Sequence, residues 1–436
     1  MFVKVIVRSF GCSSNVADGE VMAGCLREAG FDLVWKVEEA DVVIFNTCGV
    51  KTPTEDKIIH LLKEVPADKR LVVAGCLPLI NFPRLDREVR FDAVIGPAFG
   101  ERIVNVVRRV LDGEKLVVLD GGLCSKPRLD LPRIRVNPMI GIVPVAYGCV
   151  GECGYCCVRF ARGRLRSFEV DEIVNHVRKG LGEGVREFWF TGQDVACFGL
   201  DKSVNLVDLL EEVCSIEGVG QFWIRLGMMT PNLLMSFLEE LREFLSEQKG
   251  MGRIFEFLHV PVQSGDDEIL GLMNRRYSVK DFKRIVTVFR RALPKVTVAT
   301  DVIVGFPGED EEAFQNTIEV IKEIKPDIVN LSKFFVRPTT AAEKMEQKIG
   351  VGELKRRSEV LAALIRQISL EKNKAWVGWS GRVLIDEKGK KLGSWIGRNF
   401  AYKPVVMNCG KEGLLGRVLD VRVVDAFQSH LLGEIV

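Results

Sequence analysis

The chain has 436 residues, of which 47% are hydrophobic and 28% are charged, and its net charge is +2. These values exclude an intrinsically disordered chain and allow two or three domains. Twelve cysteines are too few for a disulfide scaffold of this length, and the N-terminus lacks a signal-peptide pattern, so we expect a cytoplasmic protein. No stretch of about 18 apolar residues occurs, so we expect no membrane span.

Residues 1–120 alternate short apolar runs with helical patterns, which predicts an α/β domain with a parallel sheet. The expected strands are Val3–Arg8, Val42–Asn46, Leu71–Ala74, Ala93–Ile95 and Leu116–Leu119. Helical patterns between them cover Asn15–Ala29, Thr54–Val65 and Glu101–Leu111. Residues 121–138 contain three prolines and several basic side chains, which predicts a basic linker.

Residues 139–371 contain six longer βα units, which predict a complete or partial barrel. The expected strands are Ile142–Tyr147, Glu187–Phe190, Phe222–Leu226, Phe255–Val260, Thr297–Val304 and Ile328–Phe334. The last pattern of this region is a long charged helix, Gly352–Lys374. Residues 372–436 have short alternating runs, at Arg382–Asp386, Lys403–Met407 and Leu419–Val424, which predict a small β-barrel.

Three cysteines, Cys149, Cys153 and Cys156, follow the first barrel strand within one short loop. Loops at the carboxyl ends of barrel strands build active sites, and three thiolates leave one iron of a 4Fe–4S cluster open. The alternatives are a structural zinc site and free buried thiols. Zinc prefers four ligands, and Cys157 adjoins Cys156 too closely to be the fourth. The spacing therefore favours an iron–sulfur cluster.

This C-x3-C-x2-C motif, with Tyr155 before its third cysteine, resembles the signature of the radical S-adenosylmethionine (SAM) superfamily. The resemblance implies a partial (β/α)6 barrel in which SAM binds the open iron and is cleaved to a 5′-deoxyadenosyl radical. It also implies that Tyr155 packs beside the adenine of SAM. Further SAM contacts are expected near the ends of later strands, at Gln193, Arg225, Gln263, Ser264 and Asp301. For Arg225, a structural salt bridge is the alternative.

Three further cysteines, Cys12, Cys48 and Cys76, each follow a predicted strand of the N-terminal domain. The carboxyl ends of parallel strands share one edge of the sheet, so we expect these thiols to converge on a metal site. By contrast, Cys25 and Cys214 lie within helical patterns and are typical of small core residues.

With these motifs, the chain resembles the methylthiotransferase family throughout its length. The resemblance implies two 4Fe–4S clusters, held by Cys149, Cys153 and Cys156 and by Cys12, Cys48 and Cys76, so that all six cysteines are catalytic. The second cluster would hold the sulfur to be inserted, and a second SAM would supply the methyl group. An electron donor such as a ferredoxin or flavodoxin is also expected. The sequence does not identify the sulfur donor or a role for Cys124, Cys157, Cys197 and Cys409.

The C-terminal module resembles a TRAM domain, and residues 373–436 hold ten Lys or Arg against six Asp or Glu. A basic excess beside aromatic side chains is typical of RNA contact, so we expect tRNA as partner. Residues 46–56 and 9–20 resemble the archaeal and eukaryotic branch that acts on threonylcarbamoyladenosine. That group carries a carboxylate, for which Lys51 is the candidate ligand.

Three other functions are open from the sequence. Two lie within the family: methylthiolation of isopentenyladenosine in tRNA, and methylthiolation of a ribosomal protein aspartate. The third is a non-catalytic iron–sulfur RNA-binding protein that senses redox state.

Overall fold

The computed structural model describes residues 3–119, 126–218, 220–248, 253–346 and 349–436. Part of the predicted linker, residues 121–125, lies outside the described residues, as does Cys124 within it. In the described chain, no helix is long and apolar enough to cross a membrane.

The N-terminal region is a six-stranded parallel sheet with helices on both faces. Its elements are β1 (Lys4–Ser9), α1 (Ser13–Glu28), β2 (Asp32–Leu33), β3 (Val42–Thr47), α2 (Thr52–Lys63), β4 (Arg70–Gly75), α3 (Leu77–Glu88), β5 (Ala93–Ile95), α4 (Ile103–Leu111) and β6 (Leu116–Val118). The strand order is β2-β1-β3-β4-β5-β6. All six residues of β3 are buried, as expected for a central strand covered on both faces.

The middle region is a partial barrel of six main parallel strands. Its elements are β7 (Ile140–Pro144), β8 (Ala146–Tyr147), α5 (Val158–Arg162), β9 (Arg166–Ser167), α6 (Val170–Gly182), β10 (Glu187–Thr191), α7 (Leu206–Cys214), β11 (Trp223–Leu226), α8 (Pro231–Leu234), α9 (Leu238–Glu247), β12 (Phe257–His259), α10 (Asp267–Leu272), α11 (Val279–Ala292), β13 (Thr297–Val304), α12 (Glu311–Ile324), β14 (Ile328–Lys333) and α13 (Val351–Lys374). The main strands form two parallel sheets, β7-β10-β11 and β12-β13-β14. A bridge between Ile224 and Ile254 connects them.

The C-terminal region is a closed five-stranded barrel. Its strands are β15 (Ser380–Lys388), β16 (Ser394–Arg398), β17 (Pro404–Asn408), β18 (Val418–Ala426) and β19 (Leu431–Ile435). Tyr402 and Leu384 of this barrel pack in one cluster with Trp223, Phe255 and Phe257 of the larger barrel. The small barrel therefore closes the end of the larger one that lies away from the strand carboxyl ends.

The predicted fold class, an α/β domain, a partial barrel and a small β-barrel, is confirmed. The observed strands differ from the predicted ones where the apolar runs in the sequence are short. The expected strand Phe255–Val260 forms only over Phe257–His259, and β2, β16 and β19 were not predicted. The domain boundaries stay a prediction.

Candidate active site between two cysteine triads

The dispersed cysteines lie at the carboxyl ends of three neighbouring strands, β1, β3 and β4. Cys12 and Cys76 are the N-cap residues of α1 and α3, and Cys48 follows β3 directly. Glycine precedes two of them at positive φ, +100° at Gly11 and +97° at Gly75. A Cβ on Gly11 would lie 2.6 Å from the Cβ of Cys48, and one on Gly75 would lie 2.4 Å from a backbone oxygen of β3. Both turns therefore require glycine to bring the thiols together.

Two thiols of the dispersed triad are removed from water. Cys48 and Cys76 are buried, whereas Cys12 is exposed. Burial raises the pKa of Cys76 to about 12 and also raises the pKa of Cys48. The Cys76 thiol donates to Asn15 Oδ1 at 3.6 Å, and Asn15 is held by donating to the backbone oxygens of Phe10 and Thr47. A cation or metal is needed to stabilise thiolates in such a place.

The cation near the dispersed triad is an arginine of the barrel. Arg162 of α5 is 1% exposed and forms an ion pair with Asp18 of α1 at 2.8 Å. It also donates to Asn15 Oδ1 at 2.5 Å, and Asn15 Oδ1 accepts from the Cys76 thiol, so the guanidinium charge lies close to Cys76. Tyr147 donates to Asp18 at 2.7 Å. This buried network connects the two larger regions directly behind the dispersed thiols.

The local cysteines occupy the loop between β8 and α5. The backbone N–H of Gly151 donates to Cys149 Sγ at 3.2 Å, and Arg275 Nη1 donates to Cys153 Sγ at 2.9 Å. Burial raises the pKa of Cys156 to about 11. Hydrogen bonds from nearby donors stabilise sulfur that carries negative charge, so this loop is prepared for thiolate ligands.

The donor chemistry of both triads is compatible with the ligands of a 4Fe–4S cluster. Within the described ranges, no three His, Cys, Asp or Glu side chains converge closely enough to hold one metal ion. In a cluster, each cysteine binds a different iron, so three sulfurs do not need to meet at one point. Each triad offers three thiols with an arginine or backbone donor beside them, as cluster ligands require.

A cavity of about 410 Å³ joins the two triads. It is lined by Cys12 and by all three cysteines of the local loop. A reactive group at either triad would therefore face the same space, which is large enough for a nucleobase or a similar planar group.

The predicted SAM contacts and Lys51, the candidate substrate ligand, divide into two groups. Gln193 lines the main cavity, and Tyr155 and Gln263 line both this cavity and a second one of about 260 Å³. Asp301 and Lys51 line the second cavity. These five side chains therefore line the two cavities, and their roles stay a prediction.

The other two predicted contacts lie apart from these cavities. Ser264 is 1% exposed, and its hydroxyl accepts from the N–H of Asp266. The guanidinium of Arg225 lies 5.0 to 5.5 Å from the ring centres of Trp189, Phe257 and Tyr402. None of the carboxylates that the structure describes forms an ion pair with Arg225, so the structural salt bridge that was the alternative to a SAM contact does not form within these residues.

The family comparisons agree with this layout. Residues 143–321 match the model of the radical SAM superfamily, residues 376–436 match the TRAM domain, and residues 4–96 match a family described as uncharacterized protein family UPF0004. A Pyrococcus horikoshii protein named probable threonylcarbamoyladenosine tRNA methylthiotransferase is 41% identical over 436 residues, which is 100% of both chains. A human threonylcarbamoyladenosine tRNA methylthiotransferase is 34% identical over 99% of this chain and 74% of its own length.

The chain belongs to the threonylcarbamoyladenosine tRNA methylthiotransferase family. Its radical SAM domain implies the use of SAM and a 4Fe–4S cluster. Among solved structures, the radical SAM methyltransferase TsrM from Kitasatospora setae, with tryptophan and a SAM analogue bound, matches with a TM-score of 0.57. It is 15% identical and the match covers 78% of this chain and 75% of TsrM, so it shows the fold alone.

Sequence reasoning missed the two arginines that serve the triads. Both lie in segments without a motif. Arg275 donates to Cys153, and Arg162 donates to the Asn15 oxygen that also accepts from Cys76, and both contacts form only in the tertiary fold. Two cysteines without a predicted role also lie near the triads. Cys157 packs in one cluster with Cys76, and a hydrogen bond from Cys197 lowers the pKa of Cys149.

Proposed function

We propose that this protein converts N6-threonylcarbamoyladenosine at position 37 of tRNA to its 2-methylthio derivative. It uses two 4Fe–4S clusters, one bound by Cys149, Cys153 and Cys156 and the other by Cys12, Cys48 and Cys76. The names of the relatives support the substrate.

The observation that carries the proposal is the cavity shared by the two triads. Insertion of a methylthio group needs a radical source and a sulfur source on either side of one carbon atom. A single triad would support SAM cleavage alone. When bound, the local cluster would supply the electron that cleaves SAM, and the other cluster would supply the sulfur.

The protein's own side chains orient the reactants and exclude water. Tyr155, half-buried beside Phe306 at 6.4 Å between ring centres, offers an aromatic edge for the adenine of SAM. Gln193 and Gln263 offer amide groups to its polar parts. The Arg162 network holds the domain that carries the dispersed thiols against the barrel.

The substrate base must leave the anticodon stack to enter this cavity, as enzymes that act on base atoms require. The C-terminal barrel, with its basic excess, is the proposed contact for the tRNA backbone. A tRNA substrate favours the cytoplasm as the compartment. A ferredoxin or flavodoxin is the proposed electron donor.

Nucleoside analysis of tRNA from a deletion strain tests the proposal. We expect the methylthio derivative of threonylcarbamoyladenosine to disappear and its unthiolated precursor to accumulate. A plasmid-borne copy of the gene should restore the methylthio derivative, whereas a copy with Cys149→Ala should not. Retention of the methylthio nucleoside in the deletion strain contradicts the proposal, and loss of methylthio-isopentenyladenosine instead would reassign the substrate.

A further inference from the structure

The second cavity, of about 260 Å³, lies beside the main one and has walls from two regions of the protein. Val50 and Lys51 of the N-terminal region form one side, and the ends of β13 and β14 form the other. Tyr155 and Cys156 line both cavities, so the second cavity opens directly next to the local triad. A ligand that bridges the two triads therefore has room here for a side arm.

Two lysines in this cavity have no carboxylate partner among the described residues. They are Lys51, just before α2, and Lys333, the last residue of β14. The third cation of the cavity, Arg337, is already used, because it is buried in an ion pair with Glu55. Two ammonium groups that form no ion pair within the described part of the chain attract an anionic ligand to one cavity.

The one acidic group of the cavity does not cancel this charge. Asp301 accepts hydrogen bonds from His259 at 3.2 Å and from Asn330 at 2.8 Å. Lys51 also attracts this carboxylate, but without an ion pair, so Asp301 offsets only part of the positive charge. Against two lysines, the cavity keeps an excess of positive charge.

The proposed substrate has an anion in the matching place. Its adenine must present C2 to the main cavity, and its N6 carries a threonylcarbamoyl arm that ends in a carboxylate. Because the second cavity adjoins the first at Cys156, an arm attached to a base in the main cavity extends into it. The polar groups of Asn330 and Ser332 suit the hydroxyl and amide groups of such an arm.

We infer that Lys51 and Lys333 together bind the carboxylate of the amino-acid arm on the substrate adenine, and so select this base over adenines with neutral N6 groups. The inference rests on the proposed function and adds the residues that determine its specificity. The carboxylate of SAM is the other possible source of the same chemistry, and the test separates the two.

The test compares tRNA carrying threonylcarbamoyladenosine with the same tRNA after its carboxylate is coupled to ammonia as a neutral amide. For the reconstituted wild-type protein, we expect KM to rise about 10-fold or more on the amide tRNA. For the Lys51→Met/Lys333→Met variant, we expect the same KM on both tRNAs, and this KM should be higher than that of the wild-type protein on the unmodified carboxylate tRNA. The Lys51→Arg/Lys333→Arg variant, which keeps both charges, should still distinguish them.

Lys57→Met is the matched control, because Lys57 is an exposed lysine of α2 outside both cavities, and it should behave as wild type. Equilibrium binding of SAM to each variant separates the sources. If the methionine variant still prefers the carboxylate tRNA, or if it loses 10-fold or more in SAM affinity, the inference is wrong. Failure of the wild-type protein to form any methylthio product would instead contradict the proposed function.

Discussion

The two cysteine triads reach the same cavity by opposite routes. The local triad lies in eight consecutive residues, so one loop between β8 and α5 sets its geometry. The dispersed triad depends on a whole parallel sheet, because its cysteines follow three adjacent strands and are separated by up to 64 positions in sequence. The first is a local structure, whereas the second exists only when the domain is folded.

The groups that contact the two triads also come from near the triad in one case and from another region of the protein in the other. The local triad receives donors from its own loop and from the neighbouring Arg275. The dispersed triad is more buried, and its cation, Arg162, comes from another region of the protein. The dispersed triad is therefore coupled to the docking of the barrel, whereas the local triad is not.

Removal of Arg162 tests this coupling most strongly. In Arg162→Met, the Asp18 carboxylate is left buried without its partner, so we expect a loss of about 3 to 5 kcal/mol in the free energy of unfolding. Denaturant unfolding measures this loss. Arg159→Met, on a partly exposed arginine of the same helix, should change stability by less than about 1 kcal/mol.

The double variant Arg162→Met/Asp18→Asn removes both charges and should recover part of the lost stability. Iron analysis adds a second readout, because the coupling predicts that Arg162→Met loses iron from the dispersed triad first. A stability equal to wild type, with both clusters retained, would show that the dispersed triad does not depend on the barrel.

Arg275→Met is the corresponding change at the local triad, with a smaller expected effect. Loss of the hydrogen bond to Cys153 makes the cluster harder to reduce, so we expect 5′-deoxyadenosine formation to fall about 10-fold with unchanged stability. A redox titration followed by electron paramagnetic resonance should show a more negative midpoint potential. Arg276→Met is the control, because its side chain is 72% exposed. An unchanged potential in Arg275→Met contradicts the assigned role.

Glu187 lies at the opposite end of the barrel from both triads, so its substitution should affect only the pH dependence of stability. Burial raises its pKa to about 8 next to Asp386 of the C-terminal barrel. The folded protein therefore keeps a proton that the unfolded chain loses above about pH 4.5, and stability should fall as pH rises from there to about 8, by at most about 1.4 kcal/mol per pH unit.

Glu187→Gln should flatten this dependence without changing either cluster, since its neutral amide has no proton to lose. Unfolding at pH 5.5, 6.5 and 7.5 measures the slope for both proteins. Parallel slopes would rule out Glu187 as the titrating group.

From the sequence alone, hydrophobic periodicity predicts the secondary structure, and the spacing of motifs predicts which residues lie near the site. The three-part fold and the placement of five predicted contact residues around the cavities could be derived, because strand ends and short motifs are local signals. Pairings such as Arg162 with Asp18, 144 positions apart, follow only from tertiary packing. Arg225 shows the same limit, since its position at a strand end did not reveal the aromatic rings around it.

The division of work between the triads is tested most directly by replacing all of Cys12, Cys48 and Cys76 with alanine. After anaerobic reconstitution, iron content, 5′-deoxyadenosine and methylthio nucleoside are measured on one sample. We predict about four irons per chain in place of about eight, continued 5′-deoxyadenosine formation and no methylthio product. Methylthio product at the wild-type yield would contradict the account.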